Sequence, residues 1–264
     1  MIESVGDVNW LRPHVKTHKM SEIIKLQISH GINRFKCSTI AEAEMTACSG
    51  ASDVLLAMQP VGPNIDRFFS LITKFPNVKF SCLADNETTV NQLAEKAVKA
   101  RVTAHIWIDI NNSMNRTGIT PDDKALRFYD MIIGRSIIKI EGLHVYDGHI
   151  NDADFTVRKQ KSDEAFKPVL KIAKEIQMPF KIIIGGSPTF GIHAQRENSP
   201  GTVLLCSFLP FCAVSINNIQ TQIAHICKHH NNFVNMTLIV SFRCLERKLL
   251  IVLWSDVCML VSHM

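Results

Sequence analysis

Short runs rich in β-branched and aliphatic residues recur through the first 205 residues of this 264-residue chain, and helical patterns separate them. The runs lie near 11–16, 34–38, 54–58, 79–83, 105–110, 141–146 and 181–184. Apolar residues at helical spacing cover 21–30, 40–49, 64–75, 87–100, 122–133 and 157–176. The helix at Glu87 has a clear start, because Asp85 or Asn86 can cap it. Strand–helix repeats imply right-handed crossovers and a parallel sheet. No glycine-rich dinucleotide loop follows the first run. A (β/α)8 TIM-type barrel is therefore expected rather than a Rossmann sheet. Its eighth strand should fall just before or within 199–205.

The rhythm stops after residue 205. No glycine occurs from 202 onward, and no Asp, Glu, Lys or Arg lies between Glu197 and Lys228. Five of the eight cysteines fall in this tail. The expected organisation is a barrel over 1–205 and an unassigned, aberrant tail over 206–264. The cysteines form no CxxC pair and read as reduced thiols. The composition, 46% apolar and 20% charged, is that of a globular chain. A net charge of +5 admits anionic ligands but does not by itself indicate nucleic acid. The first residues lack a secretory pattern, and no apolar run is long enough to span a membrane. A cytoplasmic protein is expected.

Chemistry concentrates in four places. In a strand at 11–16, Arg12, His14 and Lys16 share one face with His18, and apolar residues share the other. The cationic face would point into the barrel, where charge is costly unless something anionic meets it. Crowding and desolvation there would depress the lysine pKa, and a neutral amine is the nucleophile for a Schiff base. A solvated basic strand and a nucleic-acid patch stay open as readings of the same spacing. The loop Gly185-Gly-Ser187, with 199–202 nearby, suits a phosphate at a barrel rim. Arg116 follows the fifth run, where it could meet a phenolate or carboxylate. Tyr146 ends the sixth run and could pack on a ring, and His149 is a candidate general base.

The segment Arg12-Pro-His-Val-Lys-Thr-His-Lys19 resembles the lysine motif of the D-threonine aldolase and D-serine dehydratase group. That group resembles in turn the N-terminal barrel of alanine racemases. Thr39-Ile-Ala-Glu-Ala-Glu44, Met114-Asn-Arg-Thr-Gly118, Tyr146-Asp-Gly-His149, Gly185-Gly-Ser187 and Ser199-Pro-Gly-Thr202 follow in the group's order. The resemblance implies pyridoxal 5′-phosphate on Lys16 as an internal aldimine. It implies Arg116 near the phenolic oxygen, Tyr146 against the ring, and Gly185, Gly186, Ser187, Gly201 and Thr202 around the phosphate. Related racemases carry an arginine before the Pro-Gly pair where this chain has Ser199, which favours an aldolase or a dehydratase. The implied reaction is lysis of a β-hydroxy D-amino acid. Retro-aldol cleavage would use His149 as base, and β-elimination would use Lys16. Relatives also carry a C-terminal β-domain with a divalent metal (Zn or Mn). No such domain is found here, and His225-Ile-Cys227 does not replace it. The resemblance thus implies a chain shortened at both ends, with a catalytically impaired cofactor-binding barrel as the alternative. A homodimer is expected, with no nucleic-acid or membrane partner.

Overall fold

The computed structural model describes the backbone of residues 2–176, 181–196, 203–205, 238–244, 247–254 and 257–262, and side chains as far as residue 196. Two compact units emerge, Met1–Leu209 and Pro210–Met264.

In the first unit, short helices α1 (Ile2–Val5) and α2 (Ser21–Ser29) precede the sheet. Then β1 (Arg34–Cys37), α3 (Ile40–Cys48), β2 (Asp53–Leu56), α4 (Pro63–Lys74), β3 (Lys79–Ala84) and α5 (Glu87–Ala100) alternate. The series continues through β4 (Ala104–Ile110), α6 (Asp123–Ile133), β5 (Ile138–Val145), α7 (Phe155–Glu175), β6 (Lys181–Ile184), α8 (Phe190–Ala194) and β7 (Val203–Leu205). All seven strands are parallel and pair in chain order. Local chemistry sets the helix starts. The side chains of Thr39, Asn86 and Asp122 accept backbone N–H bonds at the first turns of α3, α5 and α6.

One expected strand is corrected. Residues 11–14 are extended, but only a single parallel bridge, His14 to Lys36, ties them to β1. The chain then turns into a 3-10 helix, Val15–Thr17. Pro13 has no N–H to donate to a ladder, and the His14 side chain caps the turn by accepting the Lys16 N–H at 3.2 Å. The curled sheet closes through this segment, with residues 8–10 against β7 and 11–14 beside β1. The barrel-type parallel fold stands: the expected last strand is β7, and the place of the expected first strand is taken by an extended segment rather than a ladder strand.

Alternation along the strands separates two apolar layers. Phe35, Val54, Phe80, Ile106, Leu143 and Ile182 face the helices and join the large core. Leu55, Leu83, Trp107 and Ile183 form a second, small cluster contributed only by strands, which is the barrel interior. Each fully buried aliphatic or aromatic side chain contributes about 1.5–3 kcal/mol.

A bulge in β5 decides which residues face that interior. Ile106 pairs with Ile140, yet Trp107 pairs with Gly142, so Glu141 is an extra residue. Gly142 has φ +149°, and a Cβ there would run into the Lys181 carbonyl. Before the bulge Ile138 and Ile140 pack toward the helices, and after it Leu143 and Val145 do. His144 and Tyr146 are thereby turned inward.

In the second unit, β8 (Leu238–Cys244), β9 (Arg247–Trp254) and β10 (Val257–Ser262) form an antiparallel sheet with β9 central. Their apolar runs are strand-length, and the intervening pairs of residues are too short for a crossover helix.

Candidate functional site

Every parallel strand ends on the same rim, where functional side chains of barrels gather. A cavity of about 480 Å³ opens there, lined by Lys16, Lys36, Asp109, Arg116, His144 and Tyr146 among others. Lys16, Arg116 and Tyr146, expected as site residues from sequence, are thus brought together.

Lys16 stands on the 3-10 turn, not on a strand face shared with Arg12. The Arg12 guanidinium lies deeper, only 1% exposed, over the Trp107 ring at 5.7 Å. It makes a two-pronged ion pair with Asp53 at 2.8 and 3.0 Å. The anion that offsets this buried cation is therefore a carboxylate of β2, and Arg12 is not a cofactor ligand. His14 Nδ1 accepts the Lys16 N–H, and Nε2 faces Ser38 Oγ at 3.2 Å. Burial, followed by the charges of Lys36 and Lys16, pushes the His14 pKa down to about 2. His14 is a neutral neighbour of Lys16.

Arg116 rides on the loop between β4 and α6. Ile119 and Asp109 close that loop through a 2.9 Å backbone bond. Within it Asn115 adopts φ +53° while its N–H donates to Asn111 Oδ1 at 2.9 Å. Gly118 N–H donates to Asp85 Oδ2 at 3.0 Å, pinning the loop to the end of β3. The Arg116 guanidinium then lies 5.1 Å from the Tyr146 ring.

A buried relay under the cavity was missed by the sequence reading. Lys36 Nζ donates to His144 Nε2 at 2.7 Å. His144 Nδ1 donates to Asp109 Oδ1, also at 2.7 Å. Thr117 Oγ1 donates to Asp109 Oδ2 at 2.8 Å. Burial and Lys36 hold the His144 pKa down to about 4, against the pull of Asp109. The Asp109 carboxyl is desolvated too, but the His144 and Thr117 bonds and the Lys36 charge hold its pKa below the usual range. Strand alternation was the available signal, because Lys36 and His144 fall on the inward face by that rule.

The glycine loop has a different local role. Gly185 N–H donates to Val145 O at 3.3 Å, and Gly186 N–H to Thr189 Oγ1 at 3.0 Å. Thr189 Oγ1 donates to Asp147 Oδ1 at 2.6 Å, and His193 Nε2 donates to Asp147 Oδ2 at 2.7 Å. Both glycine amides are thus used within the protein. A Cβ on Gly186 would come within 2.7 Å of Gly148 Cα, so glycine here permits close packing beneath Tyr146. Gly185, Gly186 and Ser187 do not line the cavity itself. Ser199, Gly201 and Thr202 lie outside the described residues, as do His225 and Cys227. His149 does not line the cavity, and its Nδ1 is buried without a hydrogen-bond partner among the described residues. Among the described residues no group of three His, Cys, Asp or Glu side chains is placed to hold a metal ion. No described helix is long and apolar enough to cross a membrane.

Fold and site together define a parallel α/β barrel with a lysine, an arginine and a tyrosine on one cavity at its C-terminal rim. A family model described as the alanine racemase N-terminal domain matches residues 3–203, and the chain belongs to that family. A D-threonine aldolase of Arthrobacter sp. is 24% identical over 154 residues, 58% of this chain and 39% of that protein. A D-threo-3-hydroxyaspartate dehydratase of Delftia sp. is 27% identical over 127 residues, 48% of this chain and 32% of that protein. The crystal structure of a D-threonine aldolase from Filomicrobium marinum superposes with a TM-score of 0.69 at 20% identity. It covers 92% of this chain and 64% of that one. The chain spans about a third to two fifths of the length of the curated relatives it matches.

Proposed function

We propose that the chain binds pyridoxal 5′-phosphate on Lys16 and acts as a lyase on β-hydroxy D-amino acids, in the manner of a D-threonine aldolase. β-Elimination, as in the dehydratase relative, is the second reading. The observation that carries the proposal is that Lys16, Arg116 and Tyr146 share one cavity. The residues fit the cofactor's chemistry. Lys16 offers an amine for the aldehyde, Arg116 a cation for the phenolic oxygen, and Tyr146 a flat face for the ring. Ser187, with Gly201 and Thr202, is assigned to the phosphate. The proposed organisation is a cofactor-binding barrel over 1–205, with residues 206–264 unassigned.

When bound, the cofactor supplies an electron sink that stabilises charge at the substrate's Cα. The protein's part is positioning and proton control. His14 stays neutral beside Lys16, so it adds no positive charge to the two lysines near it. Lys16 Nζ is the group placed to take or return a proton at Cα. Arg116, held over Tyr146, orients the cofactor edge and the substrate on it.

Reconstitution with pyridoxal 5′-phosphate tests this directly. An absorbance band at about 410–430 nm is expected, and it should be absent in Lys16→Ala. Release of aldehyde from D-threonine separates aldolase from dehydratase, which would release 2-oxo acid from D-serine or 3-hydroxyaspartate. Each assay is run with and without Zn or Mn. A protein that shows the band but turns over none of these substrates is a binder, and the lyase reading fails.

A further inference from the structure

The cavity contains a second lysine. The parallel bridge sets His14 beside Lys36, and the Lys36 N–H donates to Pro13 O at 2.8 Å. Lys16 lies two residues beyond His14 and lines the same cavity. The Lys36 side chain is buried, with its ammonium 5.5 Å from the Tyr146 ring. Arg116 lies 5.1 Å from that same ring. Two cations therefore converge on the side chain assigned to the cofactor ring.

What holds Lys36 differs from what holds the other buried cation. Arg12 is matched by a carboxylate in direct contact. Lys36 instead donates to His144 Nε2, and the carboxylate of Asp109 stands one residue further along the relay. The Asp109 bond fixes the His144 tautomer, so Nε2 presents a lone pair and the Lys36 ammonium is held in one place. Among the described residues no carboxylate contacts this buried ammonium, so its positive field stays directed at the cavity. The charged and titratable groups lining the cavity with it are His14, Lys16, Asp85, Asp109, Arg116, His144 and Tyr146.

The geometry points to Lys36 as a positioning cation of the cofactor cavity, fixed by His144 and Asp109, which favours loss of the proton from the Lys16–cofactor linkage without itself attaching to the cofactor. The inference rests on the proposed pyridoxal phosphate site. A positive charge near a protonated nitrogen disfavours that proton, so the linkage should deprotonate at lower pH than it would without Lys36. Glutamine keeps a donor for His144 Nε2 but removes the charge, whereas arginine keeps the charge.

The test is a pH titration of the visible band in the reconstituted full chain, wild type against Lys36→Gln, Lys36→Met and Lys36→Arg. Borohydride reduction and peptide mapping then identify the attached lysine. The midpoint is expected to rise by about one pH unit in the glutamine and methionine variants and to stay near wild type in the arginine variant. The reduced cofactor is expected on Lys16 in every case. If methionine prevents folding, the glutamine variant carries the same expectation. An unshifted midpoint in Lys36→Gln, or label on Lys36, overturns the inference and leaves the cofactor site standing. Absence of any band or label in the wild type overturns both.

Discussion

At the N-terminal end of the strands Arg12 meets Asp53, and Glu141 meets both Lys79 and His105. At the C-terminal end Lys36 meets a neutral histidine, and Lys16 and Arg116 share the cavity with it. Between these ends lies the apolar layer of Leu55, Leu83, Trp107 and Ile183. One barrel interior thus contains charge treated in two ways. The lower charges are matched in direct contact, as a structural role requires. The upper ones leave positive charge facing a cavity, as a site for an anionic ligand requires.

The comparison yields crossed expectations. The largest effect is at Lys16, where alanine should remove the visible band completely while circular dichroism and melting stay close to wild type. A variant that loses the band by unfolding would erase the distinction between the ends. Next comes Asp53→Ala, which strands a buried guanidinium and should cost about 3–5 kcal/mol in denaturant unfolding. If that variant stays stable but no longer binds the cofactor, the lower end is functional after all. Arg116→Ala should weaken cofactor affinity by about tenfold or more, with little change in stability, read by equilibrium titration.

The smallest effects separate the ends by pH. At the upper end burial, reinforced by neighbouring lysines, lowers the folded pKa of His144 from 6.5 to about 4 and of His14 to about 2. The unfolded chain therefore takes up protons first. This stabilisation is complete above pH 6.5 and is lost as pH falls toward the folded values. At the lower end burial of Glu141 is outweighed by His105 and Lys79, and its pKa falls from 4.5 to about 2. Its contribution is present above pH 4.5 and is lost between there and about 2. His144→Gln should flatten the upper window and Glu141→Gln the lower one. Identical profiles for the two variants would show that the charges are not separable by position.

Much of the barrel was legible in the chain because period-2 and period-3.6 patterns are local properties. Helices α2 to α7 and strands β1 to β6 fall within a few residues of the expected runs. The first strand was misread because His14 caps a turn that alternation alone does not reveal. Lys16, Arg116 and Tyr146, which line the candidate cavity, were legible because each stands beside a recognisable turn or motif. The Lys36–His144–Asp109 relay escaped because its members lie 108 and 35 residues apart and only the closed sheet brings them together. The fate of the glycine amides was likewise hidden, since Asp147 and Thr189 meet across 42 residues.

The extra residue at Glu141 has a consequence for how chains of this kind can diverge. It stands outside the ladder, so deleting that one codon would leave Gly142 opposite Trp107 and His144 opposite Asp109, and His144 and Tyr146 would keep their inward faces. Such a deletion would cost the carboxylate that meets Lys79 and His105, not the cavity lining. A residue lost between Gly142 and Tyr146 with the bulge kept would instead turn the residues after it to the other face. The bulge is thus one residue of slack in the strand, and a related chain that lacks it can still keep the tyrosine in place.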